Sequence, residues 1–310
     1  MLLTSTLVLS AAGYGAVAGA LLPRAVYRFA VPRERSLPRG CPGGHPLPDS
    51  WRGWVGPARC LHCVTDGTTP QEAQERAADP AAESTAGTAT DTDPVHDPSP
   101  NSASGPASSE RPGPGPRPRP PVGPGTPDAA YGPRTGPLAL VGALVCAVLV
   151  LTGGPRPESA VWLAAAPFAL LLAAVDVRVS RLPDVLTLPL AAATAALLGL
   201  ASISPAAEGS WGRALLGCAV LGGGFLVLFL VHPRGLGFGD VKLALTAGIA
   251  LGWYGWEPLL AGAFLAFLLH ALFGFALIAA GRANRRTALP FGPFLLMGAL
   301  LGMLAAAPGV

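Results

Sequence analysis

The stretch Gly235-Leu-Gly-Phe-Gly-Asp-Val-Lys242 lies between two long apolar runs and contains three glycines, a carboxylate and the only lysine of the chain. The apolar runs on its two sides make it a connection between two membrane helices. An ionisable residue at the end of such a helix is costly, and most residues of this kind serve a function. Asp240 is therefore the first candidate for a functional side chain.

The composition is that of a membrane protein. Of the 310 residues, 51% are hydrophobic and 13% are charged, and the mean hydropathy is +0.47. Soluble domains carry about 25% charged residues, so the chain is expected to be surrounded by membrane lipid. The net charge of +3 is small and scattered along the sequence, and we therefore expect no nucleic-acid partner.

Eight apolar runs predict an all-α, polytopic membrane protein of about eight transmembrane helices. Several runs approach the ~20 residues that a bilayer requires, and 240–254 is one of the shorter ones. The first run has no basic residue before its apolar part, so we interpret it as a membrane helix rather than a signal peptide. We place the helices near 3–22, 137–152, 159–175, 184–203, 211–231, 240–254, 258–280 and 290–307.

The region between the first and second apolar runs has a different composition. Residues 66–136 are mostly Ala, Ser, Thr, Pro, Gly and Asp, and they lack the apolar side chains that a core requires. This composition predicts a disordered linker. The chain thus divides into a first transmembrane helix (1–29), a Cys-containing loop (30–65), the linker (66–136) and a membrane domain (137–310).

The charges of the loops predict the orientation in the membrane. Basic residues are enriched on the cytoplasmic side of membrane proteins. If the first helix ends in the cytoplasm, the short inner loops contain Arg178, Arg181, Arg234, Arg282, Arg285 and Arg286, while the outer side has Arg156 and Arg213. Three aspartates then lie at the inner helix ends, namely Asp176, Asp184 and Asp240. Three glutamates lie in the outer loops, namely Glu158, Glu208 and Glu257. We expect a multi-pass protein of the cytoplasmic membrane, with its linker and its aspartates on the cytoplasmic side.

Two carboxylates from different helices at one membrane depth suit acid/base hydrolysis. One accepts a proton from water while the other donates a proton, and a close pair in low dielectric titrates as a coupled unit. The alternative is that the aspartates only cap helices. Capping fits Asp184, which follows Pro183, and it fits Asp240 in part. It does not fit Asp176, because the dipole at a helix C-terminus disfavours a negative charge.

Two other interpretations use the same residues differently. A proton- or ion-coupled transporter would hold the aspartates as ion ligands, but it predicts carboxylates near the bilayer midplane on broken helices. The sequence places all three aspartates at the inner edge instead. A non-catalytic membrane scaffold is the second alternative, and the presence of Asp176, Asp240 and the neighbouring glycines argues against it.

Three segments of the sequence resemble a known family. Asp176 with Leu182-Pro-Asp184 and Leu186-Thr-Leu-Pro189 resembles the first catalytic segment of type IV prepilin peptidases. Gly237-Phe-Gly-Asp-Val-Lys-Leu243 resembles their second segment, the G-x-G-D pattern that presenilin-type proteases share. Leu289-Pro-Phe-Gly-Pro-Phe294 resembles their P-F-G-P segment near the C-terminus. The resemblance covers about residues 137–307.

The resemblance implies an aspartic endopeptidase that removes the N-terminal leader of prepilins or pseudopilins at the cytoplasmic membrane face. It implies that Asp176 and Asp240 are catalytic and that proteolysis requires no cofactor. Lys242 would lower the pKa of Asp240 if it faces that carboxyl. Supporting roles fall to Asp184, Gly237, Gly239, Lys242, Pro290 and Gly292.

The Cys-containing loop predicts a metal site. Cys41-Pro-Gly-Gly-His45 and Cys60-Leu-His-Cys63 together supply a Cys₃His set of the kind that binds structural zinc. His62 is an alternative fourth ligand, and three idle thiols are the alternative to a metal site.

Many members of the resembled family have two Cys-x-x-Cys pairs in this loop and also methylate the new N-terminus with S-adenosylmethionine. Here Gly44 stands where the partner of Cys41 would be, and the linker replaces the rest of the loop. This departure puts the methyltransferase activity in doubt. S-adenosylmethionine is expected as a cofactor only if that activity is retained.

Overall fold

A computed structural model describes residues 2–31, 37–42, 44–60, 63, 130–233, 235–284, 287 and 289–306. In these residues the chain forms nine α-helices, one short 3₁₀ turn (Trp51–Gly53) and two isolated β-bridges. The all-α prediction is therefore confirmed. The helices are α1 (Leu2–Leu21), α2 (Pro23–Phe29), α3 (Thr135–Gly153), α4 (Pro157–Val179), α5 (Asp184–Ala201), α6 (Trp211–Val231), α7 (Phe238–Tyr254), α8 (Trp256–Ala279) and α9 (Gly292–Ala305).

Six of these helices are long and apolar enough to cross a membrane: α1, α3, α4, α5, α6 and α8. This confirms a multi-pass membrane protein. The remaining two predicted runs are also helical, but α7 has 17 residues and α9 has 14. The number of eight membrane-crossing helices therefore stays a prediction. The short helix α2 was not expected, and it begins at a proline, which suits the first position of a helix.

Helix α7 occupies the centre of the bundle and packs against α5, α6, α8 and α9. Its contact with α6 is close because glycines face each other. A Cβ atom added at Gly217 would overlap the carbonyl oxygen of Gly248, and a Cβ added at Gly248 would overlap that of Gly217. Small residues allow membrane helices to approach at backbone distance, where van der Waals packing replaces the hydrophobic driving force.

The two ends of the bundle differ in charge. At one end, which we call the aspartate end, α4 finishes and α5, α7 and α9 begin, so Asp176, Asp184 and Asp240 meet there. The opposite end has the ion pair between Arg156 and Glu208, at 2.7 Å. Arg178, Arg181 and Arg282 lie at or near the aspartate end, as expected, whereas Arg234, Arg285 and Arg286 lie outside the described residues.

The predicted linker is shorter at its C-terminal end than the sequence suggested. Ala130 forms a bridge with Arg59, the N–H of Tyr131 donates to the carbonyl of Ala58 at 2.9 Å, and α3 starts at Thr135. Residues 130–136 therefore belong to the packed structure, because their backbone pairs with the Cys-containing loop. The rest of that prediction, 66–129, lies outside the described residues.

We expect Gly217→Ala to destabilise the bundle, because the added methyl group enters the α6–α7 contact. Overpacking of this kind costs about 1–3 kcal/mol. Thermal unfolding of the protein in detergent measures the effect as a lower midpoint. Gly223→Ala is the matched control on the same helix, since a Cβ there meets no atom within 4 Å. A control that unfolds as early as Gly217→Ala would contradict the role of the glycine contact.

Candidate active site

Asp176 and Asp240 line one cavity of about 620 Å³ at the aspartate end. We call it the aspartate cavity. Its walls come from the end of α4, the α4–α5 connection, the α6–α7 connection and the first turn of α7. Phe29, Val31 and Leu37 close it from the N-terminal part of the chain. Two carboxylates that are 64 positions apart in the sequence thus share one cavity.

Asp176 lies in the last turn of α4 and is only 3% exposed. The helix runs four residues further than predicted, to Val179, and ends at Ser180 in a left-handed conformation. The Asp176 carboxyl accepts a hydrogen bond from the backbone N–H of Gly292, at 2.9 Å from Oδ2. This donor stabilises the charged form of a carboxyl that burial and the helix C-terminus both disfavour.

Gly292 must be a glycine for this contact to form. A Cβ atom at this position would lie 2.7 Å from Oδ2 of Asp176. The Pro-Phe-Gly-Pro segment therefore contacts Asp176 directly. Pro290 lies half-buried in the connection before α9, two residues ahead of this donor.

An aromatic cluster holds the same segment, and sequence reasoning missed it. The ring of Phe291 is buried and packs against Phe225, Phe267 and His270, with centroids 5.7, 5.0 and 5.2 Å away. His270 also meets Phe294 edge to face at 5.2 Å. A histidine within the apolar helix α8 was the available signal, because polar residues inside membrane helices are rarely accidental.

Asp240 is the third residue of α7 and is 8% exposed. Its Oδ2 accepts the N–H of Gly237 at 3.1 Å, which is the carboxylate half of a capping box. Gly237 has no side chain to supply the other half. Asp240 therefore both satisfies the start of α7 and lines the aspartate cavity, so its capping role does not exclude a functional one.

Gly239 brings the two halves of the cavity together. A Cβ atom here would lie 3.1 Å from Cβ of Leu182 and 3.3 Å from its backbone nitrogen. The absence of a side chain lets the α4–α5 connection pack directly on the first turn of α7. Both carboxyls line the cavity beside this contact, and the charge of Asp176 acts on Asp240. Two carboxyls from different helices in one cavity are the arrangement that acid/base hydrolysis requires.

Lys242 has a different partner from the one considered from the sequence. Its ammonium nitrogen lies 2.5 Å from Oδ1 of Asp184 and 4.7 Å from the ring centre of Phe238. Asp184 begins α5, but the preceding Pro183 occupies the cap position and no side-chain capping bond forms. Asp184 therefore forms an ion pair with Lys242 instead of the helix cap that was predicted. Both residues line the aspartate cavity, with the Asp184 side chain exposed and that of Lys242 largely covered.

Cys41, His45, Cys60 and Cys63 form a second cluster, and their ligand atoms all lie within 4.8 Å of one another. Nδ1 of His45 is 3.2–3.7 Å from the three sulfurs, and the sulfurs of Cys41 and Cys63 are 3.6 Å apart. Tetrahedral coordination with Zn–S bonds near 2.3 Å places ligand atoms roughly 3.8 Å apart. These four residues therefore fit a metal ion. His62, the alternative ligand, lies outside the described residues.

The local chemistry of the cluster also suits a cation. Burial, together with hydrogen bonds to Cys41 and Cys60, raises the pKa of the Cys63 thiol to about 12. Three sulfurs this close cannot all become thiolates unless a positive ion lies between them. Gly44, which stands where a fourth cysteine was considered, has φ +80°, a conformation that favours glycine. Glycine thus suits the backbone that this chain adopts at position 44.

Comparisons with known proteins cover much of the membrane domain. A model of the type IV leader peptidase family matches residues 162–279, a range that includes Asp176, Asp184 and Asp240. The prepilin leader peptidase/N-methyltransferase of Escherichia coli K12 is 33% identical over 173 residues, which are 54% of this chain and 71% of the relative. That of Burkholderia pseudomallei 1026b is 36% identical over 162 residues, 51% of this chain and 50% of the relative.

A third relative is shorter. Leader peptidase HopD of Salmonella typhimurium is 34% identical over 137 residues, which are 42% of this chain and 83% of the relative. The chain thus spans between half and about four fifths of the length of these relatives. No solved structure matches the chain.

We expect the purified protein to contain about one metal ion per chain, because the Cys₃His cluster presents four ligand atoms at coordinating separations. Elemental analysis after gel filtration measures the content. Cys60→Ser removes one ligand and should lower it several-fold, whereas Cys218→Ser, which changes a cysteine outside the cluster, should leave it unchanged. A wild-type content no higher than that of Cys60→Ser would contradict the site.

Proposed function

The chain belongs to the type IV leader peptidase family, and we propose that it is an aspartic endopeptidase whose catalytic residues are Asp176 and Asp240. The observation that carries this proposal is their convergence: two buried carboxyls from different helices line one cavity at one end of the bundle. Each is held by a backbone N–H from a glycine, so their positions are fixed before substrate binds.

We propose that the substrate is the N-terminal leader of a prepilin or pseudopilin. The names of the relatives from Escherichia coli and Burkholderia pseudomallei support this class, since both are prepilin leader peptidases. Such a substrate presents an apolar helix in the membrane and a short polar leader outside it. The aspartate cavity lies at the end of the bundle, where the boundary between these two parts would be.

The reaction requires one protonated and one ionised carboxyl. The ionised aspartate accepts a proton from a water molecule, whose oxygen attacks the carbonyl carbon of the scissile peptide bond. The protonated aspartate donates its proton to the departing nitrogen as the C–N bond breaks. After the reaction the proton has moved from one aspartate to the other, and proton exchange with water restores the starting state. No metal or cofactor takes part in these steps.

The supporting residues act on the position of the two carboxyls. Gly292 and Gly237 supply the hydrogen-bond donors, and Gly239 allows the close packing on Leu182. The Asp184–Lys242 pair lies beside the catalytic residues, and we assign it to fixing the mouth of the cavity. Pro290 restricts the backbone that leads into Gly292.

We propose that the enzyme lies in the cytoplasmic membrane with the aspartate end inside. Arginines at that end, including Arg178 and Arg181, support this orientation. We further propose that the Cys₃His cluster binds structural zinc. N-methylation is not part of the proposal, because the methyl-donor site is not recognisable in the sequence. The mass of the cleaved product reports whether a methyl group was added.

Asp176→Asn and Asp240→Asn should each abolish leader cleavage, because one carboxyl alone cannot supply both proton transfers. Loss of a general acid or base lowers rates by about 10²- to 10⁴-fold. The measurement is conversion of a purified pilin precursor, in detergent, to a faster-migrating band. Asp184→Ala is the control and should retain substantial activity, since its carboxyl pairs with Lys242 rather than reacting.

Wild-type cleavage by a stably folded Asp176→Asn or Asp240→Asn variant would overturn the catalytic pair. The same assay separates the alternatives considered from the sequence. A transporter or a scaffold would leave the precursor uncut in the wild-type sample as well as in the variants.

Gly292→Ala should lower kcat by about 10²-fold, because the added methyl group would lie 2.7 Å from Asp176 Oδ2 and displaces that carboxyl. The leader-cleavage assay, run over a range of precursor concentrations, separates kcat from KM. Gly224→Ala in α6 is the control, since its methyl group meets no atom within 4 Å. Unchanged kcat in Gly292→Ala would show that the donor at this position does not govern catalysis.

A further inference from the structure

A second cavity, of about 760 Å³, lies on the other side of α4 from the aspartates. We call it the apolar cavity. Asp176 lines the aspartate cavity, whereas the next two residues, Val177 and Arg178, line the apolar one. Its remaining walls come from α1, α3, α5, α7 and α9. A peptide bond held in the apolar cavity would therefore be separated from the catalytic pair by the body of α4.

The lining of the apolar cavity suits a hydrocarbon chain. Apart from its charged end, it consists of aliphatic and small side chains, with one cysteine, one tryptophan and two threonines. Thr194 donates its hydroxyl to the carbonyl of Leu190 at 2.7 Å, so it offers little to a polar ligand. Thr246 is buried without a hydrogen-bond partner among the described residues, and it is the one polar group left in the wall.

The charged end of the apolar cavity has two arginines. Arg134 is the N-cap residue of α3, and Arg178 lies in the last turn of α4. In the described part of the chain neither guanidinium is paired with a carboxylate. Both side chains are exposed, so they are available to a ligand at the membrane surface. Basic pockets between membrane helices are typical binding sites for anionic lipid headgroups.

The position of the cavity argues against a substrate helix as its occupant. It lies behind α4, and a substrate helix there would not deliver its leader to the aspartates.

We propose that the apolar cavity binds one anionic phospholipid, with its phosphate between Arg134 and Arg178 and an acyl chain along α3 and α4. The lipid bridges the α1–α3 pair and the catalytic helix α4, which otherwise meet through fewer contacts than α1 and α3 make with each other. This site is independent of the proposed peptidase reaction. Helices α1 and α3 meet at backbone distance through Gly15 and Gly142. This contact keeps the cavity wall opposite α4 in place.

Native mass spectrometry of the full chain in detergent, titrated with dioleoyl phosphatidylglycerol or phosphatidylcholine, tests the charge requirement. We expect about one tightly retained phosphatidylglycerol per chain and at least about tenfold weaker retention of phosphatidylcholine. The double variant Arg134→Gln/Arg178→Gln should lose this preference. Arg213→Gln/Arg282→Gln, which removes two arginines outside the cavity, should keep it. Glycerol phosphate, which has no acyl chain, should not compete.

A second pair of variants tests the shape of the site. Ala169→Trp fills the cavity wall on α4 and should reduce retention of phosphatidylglycerol, whereas Ala164→Trp, on the same helix outside the cavity, should not. Equal retention by Ala169→Trp and the wild type, or equal binding of the two lipids, would overturn the proposal. Thermal unfolding of each variant shows that it is folded, and lipid binding is measured without reference to leader cleavage.

Discussion

The hydrogen bond from Gly292 to Asp176 is the interaction on which the site depends. It joins residues 116 positions apart and is buried. A carboxyl at a helix C-terminus, away from water, is unfavourable in its charged form. The N–H of Gly292 offsets part of that penalty, and only a residue without a side chain can approach so closely. The start of α9 therefore holds the Asp176 carboxyl of α4 in place.

The same constraint explains the aromatic cluster behind Gly292. A backbone donor holds a carboxyl in place only if the backbone itself is held. Phe291 is anchored by Phe225 from α6 and by Phe267 and His270 from α8. Aromatic contacts of this kind contribute about 0.5–1.5 kcal/mol each beyond their buried area. The position of Asp176 thus depends on packing among α6, α8 and α9.

Much of this organisation could be predicted from the sequence, because membrane helices follow directly from apolar length. The eight apolar runs are all helical, and Asp176 and Asp240 are found in one cavity. The choice of partners could not be predicted in the same way. Lys242 is two residues from Asp240, yet it pairs with Asp184, because a helix turns consecutive side chains to different faces. Long-range contacts such as Gly239 on Leu182 have no local signal at all.

Helix α2 connects the Cys-containing loop to α4, the helix that contains Asp176. Arg28 donates to the carbonyl of Pro48 at 2.9 Å and stacks on Trp54, which ties the loop to α2. One turn of that helix also buries Val26 against Leu171 and Val175, and Val175 directly precedes Asp176. A loop without an apolar core needs another source of rigidity, and a Cys₃His metal site is one. The loop therefore contacts the Asp176 end of α4 through a single short helix, and a metal bound at the cysteines would help to hold that end in place whether or not a methyl group is transferred.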